Sequence, residues 1–354
     1  MAAMQLSFRW YGPDDPVTLE KIRQIPGCVG IVSALYHVPP GEVWPEDEIR
    51  ELVRRVESHG FRLTVIESVP VHEDIKLGRP ARDRYIEAYQ QTLRRLAKAG
   101  IDTVCYNFMP LFDWMRTSLA YPLPDGSNSL AYFHDEVDEA ALLSGRVKLP
   151  VWNIDEDGEK LRRLRDEYRE RGDEGLWDSL AYFLRAVAPV AEEVGIRLAI
   201  HPDDPPWPVI GIPRIIGRHA SFLRMFEICD SPANGVCFCS GSLGATAEND
   251  LPAILRDLGE RNRLHFVHLR NVKRVGEKSF YESGHLSRDG SVDMAELVAI
   301  LARLDYQGPA RPDHGRMIWG ETGIPGYGLY DRALGLTYLN GLWEASRAFV
   351  ENRV

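Results

Sequence analysis

Apolar and polar positions along the chain follow two periods that succeed one another in a regular order. Leu6-Ser7-Phe8-Arg9-Trp10 reads as a short strand closed by Gly12, Pro13 and Pro16, after which Thr18 is placed to cap a helix running through Ile25. Residues 28–35 are apolar and β-branched. Pro39, Pro40 and Gly41 break that run, and Ile49, Leu52, Val53 and Val56 then keep helical spacing as far as Gly60. A third strand is predicted over 62–69 and a third helix over 81–100, ending on Gly100. The fourth strand, 103–108, opens an excursion over 109–153 rich in Trp, Tyr, Pro, Asp and Asn. An irregular segment of that length inside a compact domain points to a lid over a site or to a contact between subunits.

The alternation then resumes. The charged stretch 155–172 predicts a solvent-facing helix, and Leu176, Leu180, Phe183, Leu184, Val187, Val190, Ala191 and Val194 form one stripe of a crossover helix over 174–194. Gly195 hands over to a fifth strand ending at His201. Strands at 235–242, 264–272 and 309–315 alternate with helices at 251–262 and 293–304, and a last helix spans 330–349. Eight strand–helix units predict a parallel sheet, and their number and size fit a closed (β/α)8 TIM barrel, one domain over 1–354 with the insertion after strand four. No Gly-x-Gly-x-x-Gly or phosphate loop argues for an open doubly wound sheet.

Composition narrows the choice of partner. The 354 residues carry a formal charge of −10 with no long basic run, which argues against a nucleic-acid surface and for a small molecule. No signal peptide and no apolar run of 18 residues is present, so no membrane association is expected. The five cysteines lack zinc-finger spacing, and a cytoplasmic protein with reduced thiols is expected. A homo-oligomer, dimer or higher, is expected as well.

In a barrel the chemistry gathers at the carboxyl ends of the strands. Strand five ends on His201, followed by Pro202, Asp203 and Asp204; strand six carries Cys237 and Cys239; strand seven carries His265 and His268; strand eight ends Arg311-Pro312-Asp313-His314. The two-residue period puts Cys237 and Cys239 on one face with Cys239 nearer the mouth, and separates His265 from His268. His201, Cys239, His268 and Asp313 are therefore the candidate ligands, a mixed N, S and O set suited to Mn2+, Fe2+, Co2+ or Zn2+. Cys237 is expected in the core, and His265 as a packing or capping residue.

These residues also carry a resemblance. Arg9-Trp10-Tyr11-Gly12, Glu67-Ser68-Val69-Pro70-Val71-His72-Glu73, Tyr106-Asn107-Phe108-Met109-Pro110, His201-Pro202-Asp203-Asp204-Pro205-Pro206, Cys239-Ser240-Gly241-Ser242, His268-Leu269-Arg270 and Arg311-Pro312-Asp313-His314-Gly315 resemble segments of the mannonate dehydratase family of hexuronate catabolism. The likeness runs over nearly the whole chain, with Ser240 where the family has Thr. It implies a xylose-isomerase-like barrel, Mn2+ or Fe2+ on the four positions already reached from the strand ends, and loss of water from D-mannonate to give 2-keto-3-deoxy-D-gluconate.

Such a reaction needs a base, an acid and a cation, because a weakly acidic C2 proton and a poor C3 hydroxyl leaving group must both depart. His314 and Tyr327 are the candidate proton-transfer pair, with base and acid unassigned. Arg270, Arg311 and Lys273 are candidates for the substrate carboxylate, with Arg suited to bidentate contact. Asp203 and Asp204 are expected to orient His201 or to hold hydroxyls, and His72, Glu73 and Asn107 to meet sugar hydroxyls from strand-end loops. Rival functions are a metal-dependent sugar isomerase, an abasic-site endonuclease, against which the acidic balance counts, and a carbohydrate-binding barrel without turnover.

Overall fold

The computed structural model describes residues 4–144 and 158–351. Eight strands close a parallel barrel in chain order: β1 (Gln5–Arg9), β2 (Gly30–Ser33), β3 (Arg62–Glu67) and β4 (Thr103–Tyr106), then, after an insertion holding β5 (Ser118–Pro122) and β6 (Asn128–Phe133), β7 (Arg197–Ile200), β8 (Asn234–Cys239), β9 (Leu264–His268) and, after the hairpin of β10 (Val272–Gly276) and β11 (Ser279–Glu282), β12 (Pro309–Arg311). Helices follow the barrel strands as the 3.6-residue spacing requires. Thr18 accepts from the Lys21 amide to start the first, and residues Glu46–Ser58 bury Ile49, Leu52 and Val56 against the strands.

The two-residue period divides each barrel strand between two packing layers. Val32, Val65, Cys105, Ala199, Cys237 and Phe266 point inward and fill the barrel as one cluster, so Cys237 is a core residue. Their neighbours Ile31, Ile66, Val104, Leu198, Val236 and Val267 point outward into the layer shared with the helices. His265 also stays out of the mouth: it is buried, and its Nδ1 donates to the Leu198 carbonyl at 2.7 Å.

Strand eight stops at Arg311 rather than 315, and four further features differ from the expectation. First, strand six stops at Cys239, and Ser240–Gly244 coil into a short helix. Second, strand seven stops at His268 rather than 272. The Ser240 hydroxyl accepts from the Arg270 amide (3.0 Å) and donates to the Arg270 carbonyl (2.6 Å), replacing the strand ladder at that point. Third, Val272 begins an antiparallel sheet of order β10-β11-β6-β5, built half from the insertion and half from the segment after β9. Part of the insertion, residues 145–153, lies outside the described residues. Fourth, a helix at His219–Ile228 enters between β7 and β8. Phe222, Met225 and Phe226 are its buried face, but the proline-rich loop before it and the absence of a side-chain cap at Arg218 leave it without a local start signal. The segment Gly158–Val194 is one continuous run broken only at Gly172, whose φ of 63° lets a charged first part turn into the apolar crossover helix.

Candidate active site

The register of the barrel sets the height of each functional side chain. Cys239 and Arg311 both lie level with His268 on neighbouring strands, and His201 follows Ile200, the last residue of β7. The strands therefore deliver their terminal residues to one mouth. Each of His201, Cys239, His268 and Asp313 offers a ligand atom, and these atoms all lie within 4.8 Å of one another.

The donor chemistry fits a divalent transition ion. His201 Nδ1 lies 2.7 Å from the Pro202 carbonyl, which only accepts, so the proton sits on Nδ1 and Nε2 carries the free lone pair. Burial raises the Cys239 thiol, but the Arg270 guanidinium and His201 outweigh it and hold the group well below the usual thiol range, as a thiolate. Burial likewise opposes ionisation of Asp313, and Arg311 and His314 hold it well below the usual carboxylate range. His268 Nδ1 is buried, has no hydrogen-bond partner among the described residues, and lies 3.7 Å from Asp313 Oδ2. An orphaned imidazole nitrogen beside a thiolate and a carboxylate is what a cation at this point would satisfy. The field of the cluster has the same sign: despite burial, Cys239 and Asp313 push His201 up to about 10, so that without a cation Nε2 takes up a proton, which a bound cation would replace on that lone pair.

Two members of the cluster, His201 and Asp313, line a cavity whose walls also include Arg9, Glu67, Asn107, Asp113, Trp114, Asp204, Arg311, His314 and Tyr327. His314 Nε2 lies 2.8 Å from Tyr327 Oη, the rings meeting edge to face at 4.8 Å, with Trp114 5.1 Å from the imidazole. Burial, opposed by Arg9, pushes the Tyr327 phenol up to about 12, so it is a neutral donor at pH 7.

Around the cavity the charges are paired. Arg311 donates to Glu67 (Nη2–Oε1 2.8 Å) and lies 2.8 Å from Asp313 through Nη1. Arg9 donates to the same Glu67 oxygen at 2.8 Å. Glu67 is driven up by burial and further down by Arg311 and Arg9, so it is ionised. Arg270, fully buried, binds Asp204 (Nη2–Oδ2 2.5 Å), Glu282 and Asp313 (Nε–Oδ2 3.0 Å).

The structure thus gathers some expected site residues and disperses others. Arg311, Asp204, Asn107, His314 and Tyr327 line the cavity with His201 and Asp313. Arg270 does not: with three carboxylates around it, it is committed to the frame. Asp203 braces a loop by accepting from the Ile216 amide at 2.8 Å, and burial, opposed by Arg214, raises it to about 6. Neither Asp203 nor Asp204 orients His201, whose Nδ1 is held by its own neighbour's carbonyl. Lys273 pairs with Tyr281 across the β10–β11 hairpin, outside the cavity lining. His72 caps the turn Glu73–Lys76 through Nδ1 and stacks on Tyr85 at 3.6 Å, and Glu73 accepts from Lys76, Leu111 and Tyr168, so both serve structure. Sequence reasoning assigned no role to Glu67, although its place at the end of β3 is the signal already used for the ligands. It also missed Arg9, Arg116 and Glu282, whereas Trp114, one of the aromatic residues of the insertion expected to cover the mouth, does line the cavity. The last two Arg–carboxylate partners, Arg116 and Glu282, come from the accessory sheet, which no strand-end rule could place.

Barrel and site together define the class: a xylose-isomerase-like (β/α)8 barrel with a buried cluster at its mouth able to hold a divalent ion. L-ribulose 3-epimerase shares that fold at a TM-score of 0.57 and 14% identity, over 98% of this chain and 97% of its own. The finer assignment comes from nearer relatives. Mannonate dehydratase 2 of Halalkalibacterium halodurans is 56% identical over 342 residues, 97% of this chain and 99% of the relative. The crystal structure of mannonate dehydratase from Streptococcus suis serotype 2 superposes with a TM-score of 0.91 at 47% identity, over 99% of this chain and 96% of that one. The sequence profile of D-mannonate dehydratase (UxuA) matches residues 4–353, and the chain belongs to that family of metal-dependent hydro-lyases.

Proposed function

We propose that this cavity removes water from D-mannonate to give 2-keto-3-deoxy-D-gluconate, with His201, Cys239, His268 and Asp313 holding Mn2+ or Fe2+. The observation that carries the reading is the convergence of four ligand atoms at the barrel mouth, two of them on His201 and Asp313, which line the same cavity as a hydrogen-bonded His314–Tyr327 pair. The ion would supply Lewis-acid stabilisation of the negative charge that grows as the C2–H bond ionises.

The residues of the chain account for the rest. His314 Nε2 and Tyr327 Oη share one proton position 2.8 Å apart, so one can take the C2 proton while the other protonates the departing C3 hydroxyl. The C2–H electrons form the C2–C3 double bond as the C3–O bond breaks, water leaves, and the enol tautomerises to the 2-keto acid. Trp114 and Leu130, which pack on Tyr327, exclude water from the pair. Asn107, held by Asp113 at 3.0 Å, and Arg311, held by Glu67, present polar edges to the hydroxyls and the carboxylate. Asp113 and Trp114 belong to the insertion, which supports a role for that segment in enclosing substrate.

The test is incubation with a panel of hexonates. Chelated protein should be inactive, and Mn2+ or Fe2+ should restore formation of a 2-keto-3-deoxy acid from D-mannonate. Full activity after chelation would remove the metal from the mechanism, and aldose–ketose interconversion without loss of water would replace a dehydratase by an isomerase.

A further inference from the structure

His314 has two nitrogens, and the proton transfer to or from Tyr327 uses only Nε2. Its Nδ1 lies 3.0 Å from Glu282 Oε1, an atom that also accepts from Arg116 Nη2 at 2.6 Å and from Arg270 Nη1. Both Glu282 and Arg116 are buried, and both come from the accessory-sheet region: Glu282 ends β11 and Arg116 precedes β5. The same two arginines clasp Asp204, Arg116 through 2.9 and 3.0 Å contacts, so two cations and two carboxylates form a closed ring with no net charge. Among the described residues Glu282 Oε2 has no hydrogen-bond partner, and the accepting capacity of the side chain falls on the oxygen that faces His314.

This geometry fixes where the imidazole proton is. A carboxylate oxygen has no hydrogen to give, so a bare Nδ1 at 3.0 Å would set two lone pairs against each other. Arg270 Nη1 is also 3.0 Å from Nδ1, but its contact with Glu282 is the shorter, and because Oε1 and Nδ1 lie only 3.0 Å apart the second N–H of Nη1, splayed about 120° from the one given to Glu282, is directed away from Nδ1. With hydrogen on Nδ1, a neutral His314 carries its lone pair on Nε2, where Tyr327 Oη donates to it. Glu282 itself is ionised: burial raises it, and Arg270 and Arg116 overcome burial to hold it at about 2.

We propose that Glu282 is a positioning residue for the dehydration. Delivered by a sheet outside the barrel, it fixes His314 as the Nδ1–H tautomer and so keeps Nε2 bare toward Tyr327 and the cavity. The accessory sheet is then part of the catalytic frame. This role of Glu282 rests on the dehydratase reading of the cavity.

The test is Glu282→Gln in the metal-loaded protein, read by kcat, KM, bound metal and melting temperature on D-mannonate. A tautomer released from its anchor should lower kcat by about 100-fold, with KM and metal content within about threefold of the parent. The same change in a His314→Asn background, assayed by slow product accumulation, should cost nothing further, because Glu282 acts through the imidazole. If Glu282→Gln shows no cooperative melt, Glu282→Asp keeps the charge between the two arginines while withdrawing the oxygen from His314, and the same losses are expected. An unchanged kcat, an equal loss in both backgrounds, or a fall in kcat matched by loss of metal would overturn the role of Glu282. Parent protein without dehydratase activity would instead overturn the reading of the site.

Discussion

Two cysteines two residues apart on β8 offer the cleanest separation of ligand from core. Cys237 sits among Val32, Val65, Ala199 and Phe266 inside the barrel, and Cys239 sits at the mouth with its Sγ 3.8 Å from Asp313 Oδ2. Cys239→Ser exchanges a thiolate for a hydroxyl that stays neutral at pH 7 and binds transition ions poorly. It should scarcely change the metal-free fold, because the Cys239 side chain also accepts from the Ser242 amide at the start of Ser240–Gly244, and a serine oxygen can do the same. Cys237→Ser buries a hydroxyl in an apolar ring, at a cost of about 1–3 kcal/mol. Unfolding entropy for a chain of this length is about 0.7 kcal/mol per kelvin, so that cost lowers the melting temperature by about 1–4 °C. Metal at a hundred times its dissociation constant should raise the parent's melting temperature by about 4 °C, from roughly 2.7 kcal/mol of linkage. The assay is a melt of each purified variant with and without Mn2+, beside metal stoichiometry. Cys237→Ser should start lower and keep the metal-induced rise; Cys239→Ser should start near the parent and lose it. A Cys239→Ser variant that still binds one equivalent and shows the full rise would refute the ligand assignment.

The remaining predictions concern the frame and the cover. Burial, against the Leu198 carbonyl, lowers His265 from 6.5 to about 4, so the folded state binds this proton more weakly than the unfolded chain. Its contribution to stability is complete above pH 6.5 and falls by roughly 3 kcal/mol as pH drops to 4; His265→Gln should flatten that part of a denaturant-midpoint profile, and an unchanged slope would rule the residue out as its source. Trp114→Ala should admit water beside His314 and lower kcat by about 10-fold or more while leaving metal stoichiometry intact, because the ring packs on the His314–Tyr327 pair and not on the ligands. Loss of metal in that variant would show instead that the insertion holds the ligand cluster together.

The architecture is legible in the sequence because it is written in local periods. Alternating runs such as 28–35 and 49–56 declare strand and helix by themselves, and the strand period is what places Cys239 above Cys237. His201, Cys239, His268 and Asp313 can be grouped from their places on consecutive strands, because a closed parallel barrel brings the carboxyl ends of its strands to one rim. Resemblance supplied the reaction and the Tyr327 partner, which no period reveals. What remained hidden was everything set by pairing between distant segments. Arg116 and Glu282 lie 166 residues apart and meet only because β6 and β11 share a sheet. Arg270 has the chemistry of a carboxylate binder and sits beside a ligand, yet three buried carboxylates from other elements claim it. His72 has the look of a hydroxyl contact and is taken by Tyr85 and a helix cap. A residue's type and its place on its own strand are local properties; which partner neutralises a buried charge is decided by the whole fold, since desolvation forces each such group to pair with whatever packing brings within reach.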